Sequence, residues 1–214
     1  FAIVGPTGSG KTTITNLITK FYEINTGNIL IDGKDLDNYS LETVRSKIGI
    51  ILQDVFLFAD TIFNNITLFN ENITLEDVEN AAKELEIHEF ISSLPGGYSF
   101  NVSERGTTLS AGQKQLIAFL RVLVNNPDIL ILDEATSSID SYSEDLIKNA
   151  TKKITKDKTS IIIAHRLSTI ESANKIIYME NGKILESGNH KELLSITNGK
   201  FKKLYEEQFI DELV

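Results

Sequence analysis

Eight residues near the start of the chain place glycine, lysine and threonine at a spacing that suits phosphate binding. They are Gly5-Pro6-Thr7-Gly8-Ser9-Gly10-Lys11-Thr12, which fit the pattern G-x-x-x-x-G-K-[ST] between an apolar strand and a helical pattern. Glycines let the backbone curl so that several N–H groups face one anion, and a helix start adds the positive end of its dipole. We expect Lys11 to bridge terminal phosphates and the Thr12 hydroxyl to ligate Mg²⁺.

Two acids follow an apolar run further along the chain, in the segment Ile129-Leu130-Ile131-Leu132-Asp133-Glu134. A buried strand would hold both carboxylates at its end, where α/β proteins bind ligands. Asp133 is expected to hold Mg²⁺ through water. Glu134 is expected to act as the general base that polarises an attacking water.

Two further polar residues follow predicted strands. Gln53 comes after Ile48–Leu52 and can ligate Mg²⁺ or orient water, and His165 comes after Ser160–Ile163 and can contact a terminal phosphate. Taken alone, a glutamine in a loop is more commonly solvated and a lone histidine more commonly structural. Their assignment therefore depends on the phosphate loop upstream.

The segment Leu109-Ser110-Ala111-Gly112-Gln113 predicts the start of a helix that continues to about Asn125. Ser110 is the expected N-cap, and Gln113 completes a capping box. Glycine inside a helix costs about 1 kcal/mol relative to alanine, so Gly112 suggests that something approaches the backbone there. An ordinary capped helix is the alternative for this segment on its own.

The elements that position these residues predict an α/β fold. Strand-length apolar runs alternate with helical patterns, and several are apolar at successive residues, as in strands buried on both faces. The runs are Phe1–Val4, Ile29–Ile31, Ile48–Leu52, Ile129–Leu132, Ser160–Ile163 and Lys175–Tyr178. Asn181-Gly182 predicts a hairpin turn. Capping boxes are predicted at Thr74/Asp77, Ser110/Gln113, Ser141/Glu144 and Ser168/Glu171.

Composition limits the classes of function. The 214 residues contain no cysteine, which excludes disulfides, thiol nucleophiles and cysteine-based zinc sites. A formal charge of −9 argues against nucleic acid as a general partner. The longest apolar runs are far shorter than the roughly 20 residues that a membrane helix needs. The chain starts at Phe1 without methionine, and we expect it to be part of a longer polypeptide.

Taken together and in this order, these motifs resemble the nucleotide-binding domain of ABC transporters over essentially the whole chain. Residues 109–113 resemble the signature motif, Ser138-Ile139-Asp140 the D-loop, and Ala164-His165-Arg166 the switch histidine. Other segments are similar to multidrug or lipid exporters, among them Leu94-Pro95 with Gly97-Tyr98, and Glu104-Arg105-Gly106.

The resemblance implies a P-loop NTPase (RecA-like) core of mainly parallel sheet over residues 1–53 and 127–190. A helical signature subdomain would occupy residues 54–126, and C-terminal helices residues 191–214. An N-terminal β part, including an adenine-stacking aromatic, would lie upstream of Phe1. Two such domains would dimerise head to tail, with each ATP between one phosphate loop and the partner's signature helix.

The resemblance also implies roles for individual residues. Glu134, His165 and Gln53 would be catalytic, and Thr12, Gln53 and Asp133 would hold Mg²⁺. The residues expected to contact ATP are Gly5, Pro6, Thr7, Gly8, Ser9, Gly10, Lys11, Thr12, Thr13, Ser110, Ala111, Gly112, Gln113 and Asp140. Three positions depart from the family pattern: Ala111 and Ser103 replace glycines that are usual there, and Lys114 replaces an arginine.

The implied function is ATP hydrolysis that powers export by a transmembrane domain fused upstream of residue 1. The domain itself would be soluble, at the cytoplasmic face of the cell membrane. One alternative is a non-transport ABC-type ATPase of DNA maintenance, but Lys11 and Ser110 are 99 positions apart with no sustained heptads between them. The other alternative is a nucleotide sensor without hydrolysis, which the presence of Glu134 disfavours.

Overall fold

A computed structural model of the protein describes residues 1–103, 106–133, 140–164 and 167–212. Helices and strands alternate along most of this length. The strands are β1 (Ala2–Val4), β2 (Leu30–Ile31), β3 (Lys34–Asp35), β4 (Ile48–Ile51), β5 (Ile129–Asp133), β6 (Thr159–Ile163), β7 (Ile176–Glu180) and β8 (Lys183–Gly188). The helices are α1 (Lys11–Ile18), α2 (Leu41–Lys47), α3 (Ile62–Thr67), α4 (Leu75–Glu84), α5 (His88–Ser92), α6 (Ala111–Asn125), α7 (Ser141–Thr155), α8 (Leu167–Ser172), α9 (His190–Ser195) and α10 (Lys200–Glu212).

Six strands form the main sheet, in the order β4-β5-β6-β1-β7-β8. Strand β1 pairs in parallel with β6 and with β7, whereas β8 pairs antiparallel with β7 across the turn at Asn181-Gly182. All six strands predicted from apolar runs are present, five of them in this sheet and the sixth, β2, outside it. The mainly parallel α/β fold is confirmed. Strand β2 lies apart from this sheet and pairs antiparallel with β3, which has only two residues and was not predicted from the sequence.

The chain divides into two compact units. The first unit contains Phe1–Ile48, the end of β5 and the chain from Thr159 to α10. All three residues of β1 are buried, as its unbroken apolar run predicts. The hydrophobic core of this first unit includes Ala2, Val4, Ala164, Ile170, Ile176, Tyr178, Leu193 and Phe201.

The second unit contains Gly49–Leu130 and helix α7, and it is mainly helical. Apolar side chains from α3, α4, α5 and α6 form its core, and those of Ile62, Ile66, Val78, Ile91, Ile117 and Leu120 are wholly buried. The predicted boundaries at residues 53 and 127 remain a prediction about how the domain is divided.

The capping boxes predicted from the sequence are present at two helix starts and absent at two others. The capping boxes at Thr74/Asp77 and Ser110/Gln113 are present with both reciprocal hydrogen bonds. The box predicted at Ser141/Glu144 is wrong, because Asp140 is the N-cap and its carboxylate accepts from the Ser143 N–H at 2.9 Å. The prediction at Ser168 is wrong as well, since α8 already begins at Leu167 and places Ser168 inside the helix.

None of the helices in the described ranges combines the length and apolarity needed to cross a membrane.

Candidate nucleotide site

The phosphate loop leaves β1 at Gly5 and enters α1 at Lys11. Gly5, Gly8 and Gly10 have φ values of 145°, 78° and 101°, which side-chain-bearing residues rarely adopt. Gly10 is the N-cap of α1 and makes no side-chain capping hydrogen bond. The first-turn N–H groups of this eight-residue helix therefore lack a side-chain cap, which suits an incoming anion.

Lys11 lies folded over this loop. Its Nζ donates to the carbonyls of Gly5 at 2.8 Å and Pro6 at 3.0 Å, and the residue is only 8% exposed. Burial lowers the pKa of the Lys11 ammonium below its ordinary value of 10.5, and the negative charge of Asp133 acts in the opposite direction. The structure thus brings the predicted lysine and the predicted acid into one electrostatic environment.

The donor set around Lys11 fits a magnesium ion. Asp133 closes β5 after the buried residues Leu130, Ile131 and Leu132, and Thr12 is exposed on the first turn of α1. A carboxylate and a hydroxyl are the oxygen ligands that Mg²⁺ prefers, usually completed by substrate phosphates and water. In the part of the chain that the structure describes, no three Asp, Glu or His side chains cluster to hold a metal.

The signature segment has the predicted geometry. Ser110 Oγ accepts from the Gln113 N–H at 3.2 Å, and Gln113 Oε1 accepts from the Ser110 N–H at 2.9 Å. Ala111 is exposed at the first position of α6, whereas Gly112 is buried. The capping box uses the N–H groups of Ser110 and Gln113 but not those of Ala111 and Gly112, the first two residues of the helix.

Gln53 lies in the same unit as the signature segment. A groove of about 330 Å³ is lined by Gln53, Asp54, Val55, Phe56, Ala111 and Lys114. Gln53 itself is exposed. The sequence placed Gln53 and Ala111 on separate elements, and only the fold shows that both line one groove.

Asp140 has a structural role that the sequence did not predict. It caps α7, and the hydrogen bonds from Ser143, chiefly from its backbone N–H, lower the pKa of the Asp140 carboxyl. Contact between Asp140 and a nucleotide remains a prediction. Glu134 and His165 lie outside the described residues, as do Glu104, Arg105, Ser138, Ile139 and Arg166. Their roles also remain predictions.

A polar network that the sequence did not predict holds the loop after Gln53. Asn65 is completely buried; its Oδ1 accepts from the Phe58 N–H at 2.8 Å, and its Nδ2 donates to the carbonyls of Phe58 and Thr61, both at 3.0 Å. From α6, Arg121 Nε donates to the Asn65 carbonyl at 2.8 Å and Arg121 Nη2 to the Phe56 carbonyl at 3.4 Å. An arginine within the apolar pattern of α6 was the available signal.

The chain is similar to several known proteins. The family model described as "ABC transporter" matches residues 1–137. "Putative multidrug export ATP-binding/permease protein YgaD" of Bacillus subtilis is 48% identical over 204 residues, which are 95% of this chain and 35% of that protein. A protein of Staphylococcus aureus with the same description, SAOUHSC_02003, is 47% identical over 207 residues, 97% of this chain and 36% of that protein.

A solved structure described as a bacterial Atm1-family ABC exporter with ATP bound is also similar. It matches with a TM-score of 0.88 at 42% identity, over 97% of this chain and 36% of that one. The chain therefore spans about a third of the length of the proteins it matches.

Proposed function

This chain belongs to the ABC transporter family, and we propose that it binds and hydrolyses ATP to power export across a membrane. The observation that carries the proposal is the phosphate loop. The ammonium of Lys11 in this loop interacts electrostatically with the carboxylate of Asp133, and the start of α1 has no side-chain cap. Such a loop offers both backbone N–H groups and one positive charge to a triphosphate.

Each residue of the loop has a defined task in this proposal. The N–H groups from Gly8 to Thr13 hold the phosphate chain, and Lys11 leaves the Gly5 and Pro6 carbonyls to contact the terminal phosphates. Bound Mg²⁺ supplies charge neutralisation at the phosphates, and Thr12, Gln53 and Asp133 would hold it.

Hydrolysis requires a base and a contact to the terminal phosphate. Glu134 takes a proton from the water that attacks the γ-phosphorus, and the bond to the bridging oxygen breaks to give ADP and phosphate. His165 donates a hydrogen bond to the γ-phosphate. A base of this kind typically contributes about 10²–10⁴-fold to the rate.

The working unit is a dimer in which two copies of the domain, or two related domains, meet head to tail. Support comes from α6, whose N–H groups at Ala111 and Gly112 are left unused by the capping box. These donors would face the γ-phosphate bound by the partner, with Ser110, Gln113 and Asp140 alongside.

A transmembrane domain is the second proposed partner, which places this domain at the cytoplasmic face of the cell membrane. Leu68 and Phe69 support this, because both have left-handed φ values, 52° and 62°, and are 46% and 59% exposed. Holding two bulky residues in that region costs about 1–3 kcal/mol each, yet it presents apolar side chains to solvent. Phe56 and Phe58, a T-shaped pair with ring centroids 5.2 Å apart, are 54% and 45% exposed in the same unit.

Two experiments test the proposal. Phosphate release by the purified full-length protein should require MgATP and stop when EDTA removes the metal. No release above the buffer blank would contradict the ATPase assignment.

To test the membrane partner, ATP turnover is measured with and without transported substrates. Phe69→Asp should abolish the stimulation of turnover by these substrates, because a carboxylate buried in the interface would oppose docking of the transmembrane domain. Leu75→Asp is the matched control, since Leu75 is 49% exposed at the start of α4 and has no strained backbone. Equal behaviour of the two variants would contradict docking at Phe69.

A further inference from the structure

The turn between β7 and β8 lies directly against the phosphate loop. Asn181 and Gly182 have φ values of 50° and 73°, as in a two-residue type I′ hairpin turn. The Gly182 N–H donates to the Ser9 carbonyl at 3.0 Å. A side-chain carbon built on Gly10 would lie 3.7 Å from the Gly182 Cα, so the turn is in van der Waals range of the loop as well.

The strand before this turn also contacts the loop. A Cβ added to Gly5 would lie only 2.0 Å from the Met179 carbonyl oxygen, so the backbones of β7 and the loop meet without room for a side chain. The β7–β8 ladder has a register shift between Tyr178 and Met179, and Tyr178 pairs with Val4, the residue before Gly5. The pairing skips Leu185, so the bulge lies in β8 and bends that strand opposite the residues of β7 that contact the loop.

The hydrogen bond to Ser9 fixes the orientation of a peptide plane. In a trans peptide the C=O of Ser9 and the N–H of Gly10 point in opposite directions. Since the Ser9 carbonyl is directed at Gly182, the Gly10 N–H is directed away from the hairpin. This N–H belongs to the N-cap residue of α1, whose neighbouring donors lack a side-chain cap.

We propose that the Asn181-Gly182 turn is a positioning element for the phosphate chain of ATP. By holding the Ser9 carbonyl, Gly182 keeps the Gly10 N–H aimed at the bound phosphates. Gly182 is thus a positioning residue that acts through the Ser9–Gly10 peptide. This inference rests on the proposed function, because it requires that the loop bind ATP.

The chain contains a matched control for this turn. Asp32-Gly33, between β2 and β3, has φ values of 50° and 76° and is followed by a lysine, as Asn181-Gly182 is. A Cβ added at Gly33 or at Gly182 would meet no atom within 4 Å. A valine at either position therefore strains the same kind of turn, and its Cβ contacts no neighbouring atom.

The test compares four variants of the purified full-length protein: Gly182→Val, Gly182→Asn, Gly33→Val and Lys11→Ala. Dissociation constants for a fluorescent ATP analogue and melting temperatures without nucleotide are measured for each. We expect Gly182→Val to weaken binding about tenfold, the lower range for one hydrogen bond to a charged group. Gly33→Val should lower the melting temperature equally yet leave binding within about twofold. Gly182→Asn should retain binding, because asparagine tolerates a left-handed φ and keeps its N–H.

Several results would overturn the inference. Equal weakening by Gly182→Val and Gly33→Val would mean that binding follows stability alone. Unchanged binding in Gly182→Val, alongside a loss in Lys11→Ala, would overturn the inference and leave the proposed function standing. Failure of the wild-type protein to bind the analogue would overturn both. If Gly182→Val does not fold, Gly182→Ala is judged by the same criteria.

Discussion

Replacing Lys11 by methionine should weaken ATP binding far more than it changes the stability of the protein. Methionine keeps most of the side-chain length but removes the ammonium, which donates to the Gly5 and Pro6 carbonyls at 2.8 and 3.0 Å. A hydrogen bond to a charged group contributes about 1.5–3 kcal/mol, so the dissociation constant for ATP should rise about 10- to 150-fold.

The stability of the nucleotide-free protein should change much less. Burial lowers the pKa of Lys11, which means that the folded environment disfavours the charged ammonium. Removing this charge relieves that cost and offsets the loss of the two hydrogen bonds. We expect a change of less than about 1 kcal/mol, or about 2–4 °C in melting temperature for a chain of this size.

Lys20 provides the matched control. Its Nζ also donates to two carbonyls, those of Leu36 and Tyr39, both at 3.1 Å, and it lies 3.7 Å from an Asp37 carboxylate oxygen. Lys20→Met should therefore lower the melting temperature and leave ATP affinity unchanged. Titration calorimetry and thermal unfolding of both variants decide the matter. Unaltered affinity in Lys11→Met would refute the assignment of the phosphate loop.

Three further predictions concern the second unit. Ala111→Gly should change the ATPase rate less than about fivefold, since losing a whole oxyanion donor costs about 10²–10³-fold and here only one methyl group is removed. Burial, with a contribution from the charge of Glu79, raises the pKa of Tyr98 from 10.0 to about 12. As the pH rises, the Tyr98 hydroxyl of the unfolded chain loses its proton before that of the folded protein does. The contribution of Tyr98 to the free energy of unfolding is therefore complete below pH 10.0 and is lost as the pH rises through about 12. In denaturant melts across this range, the free energy of unfolding should fall by about 2–3 kcal/mol more in the wild type than in Tyr98→Phe. Asn65→Ala should cost about 3–5 kcal/mol in the same assay because it removes the hydrogen bonds of a completely buried amide to the backbone of Phe58 and Thr61, whereas Asn64→Ala should cost about 1 kcal/mol.

Local signals were sufficient for much of the fold. Apolar runs predicted six of the eight strands that the structure describes, and a buried strand such as β1 reads as an unbroken run because a strand buried on both faces needs no alternation of polar residues. The reciprocal hydrogen bonds of Ser110 and Gln113 involve residues three positions apart, so the spacing alone predicted the start of α6. The phosphate loop was equally local, since its glycines, Lys11 and Thr12 are consecutive or nearly so.

Features that depend on distant residues could not be predicted in this way. The Gly182 contact with Ser9 joins residues 173 positions apart, and the groove shared by Gln53 and Ala111 depends on the packing of the second unit. Strand β3 consists of Lys34 and Asp35, two charged residues that give no apolar run. At α7 two adjacent residues, Asp140 and Ser141, are of types that can serve as N-caps, so the sequence pattern alone did not decide between them.

The most direct test of the central claim is phosphate release by the full-length Glu134→Gln variant. Glutamine keeps the shape of the side chain but cannot accept the proton of the attacking water, so turnover should fall about 10²–10⁴-fold, equivalent to roughly 3–5 kcal/mol of barrier. ATP affinity should match that of the wild type, and the ATP-bound dimer should accumulate. A fall in turnover of less than about tenfold would contradict the assignment of Glu134 as the base.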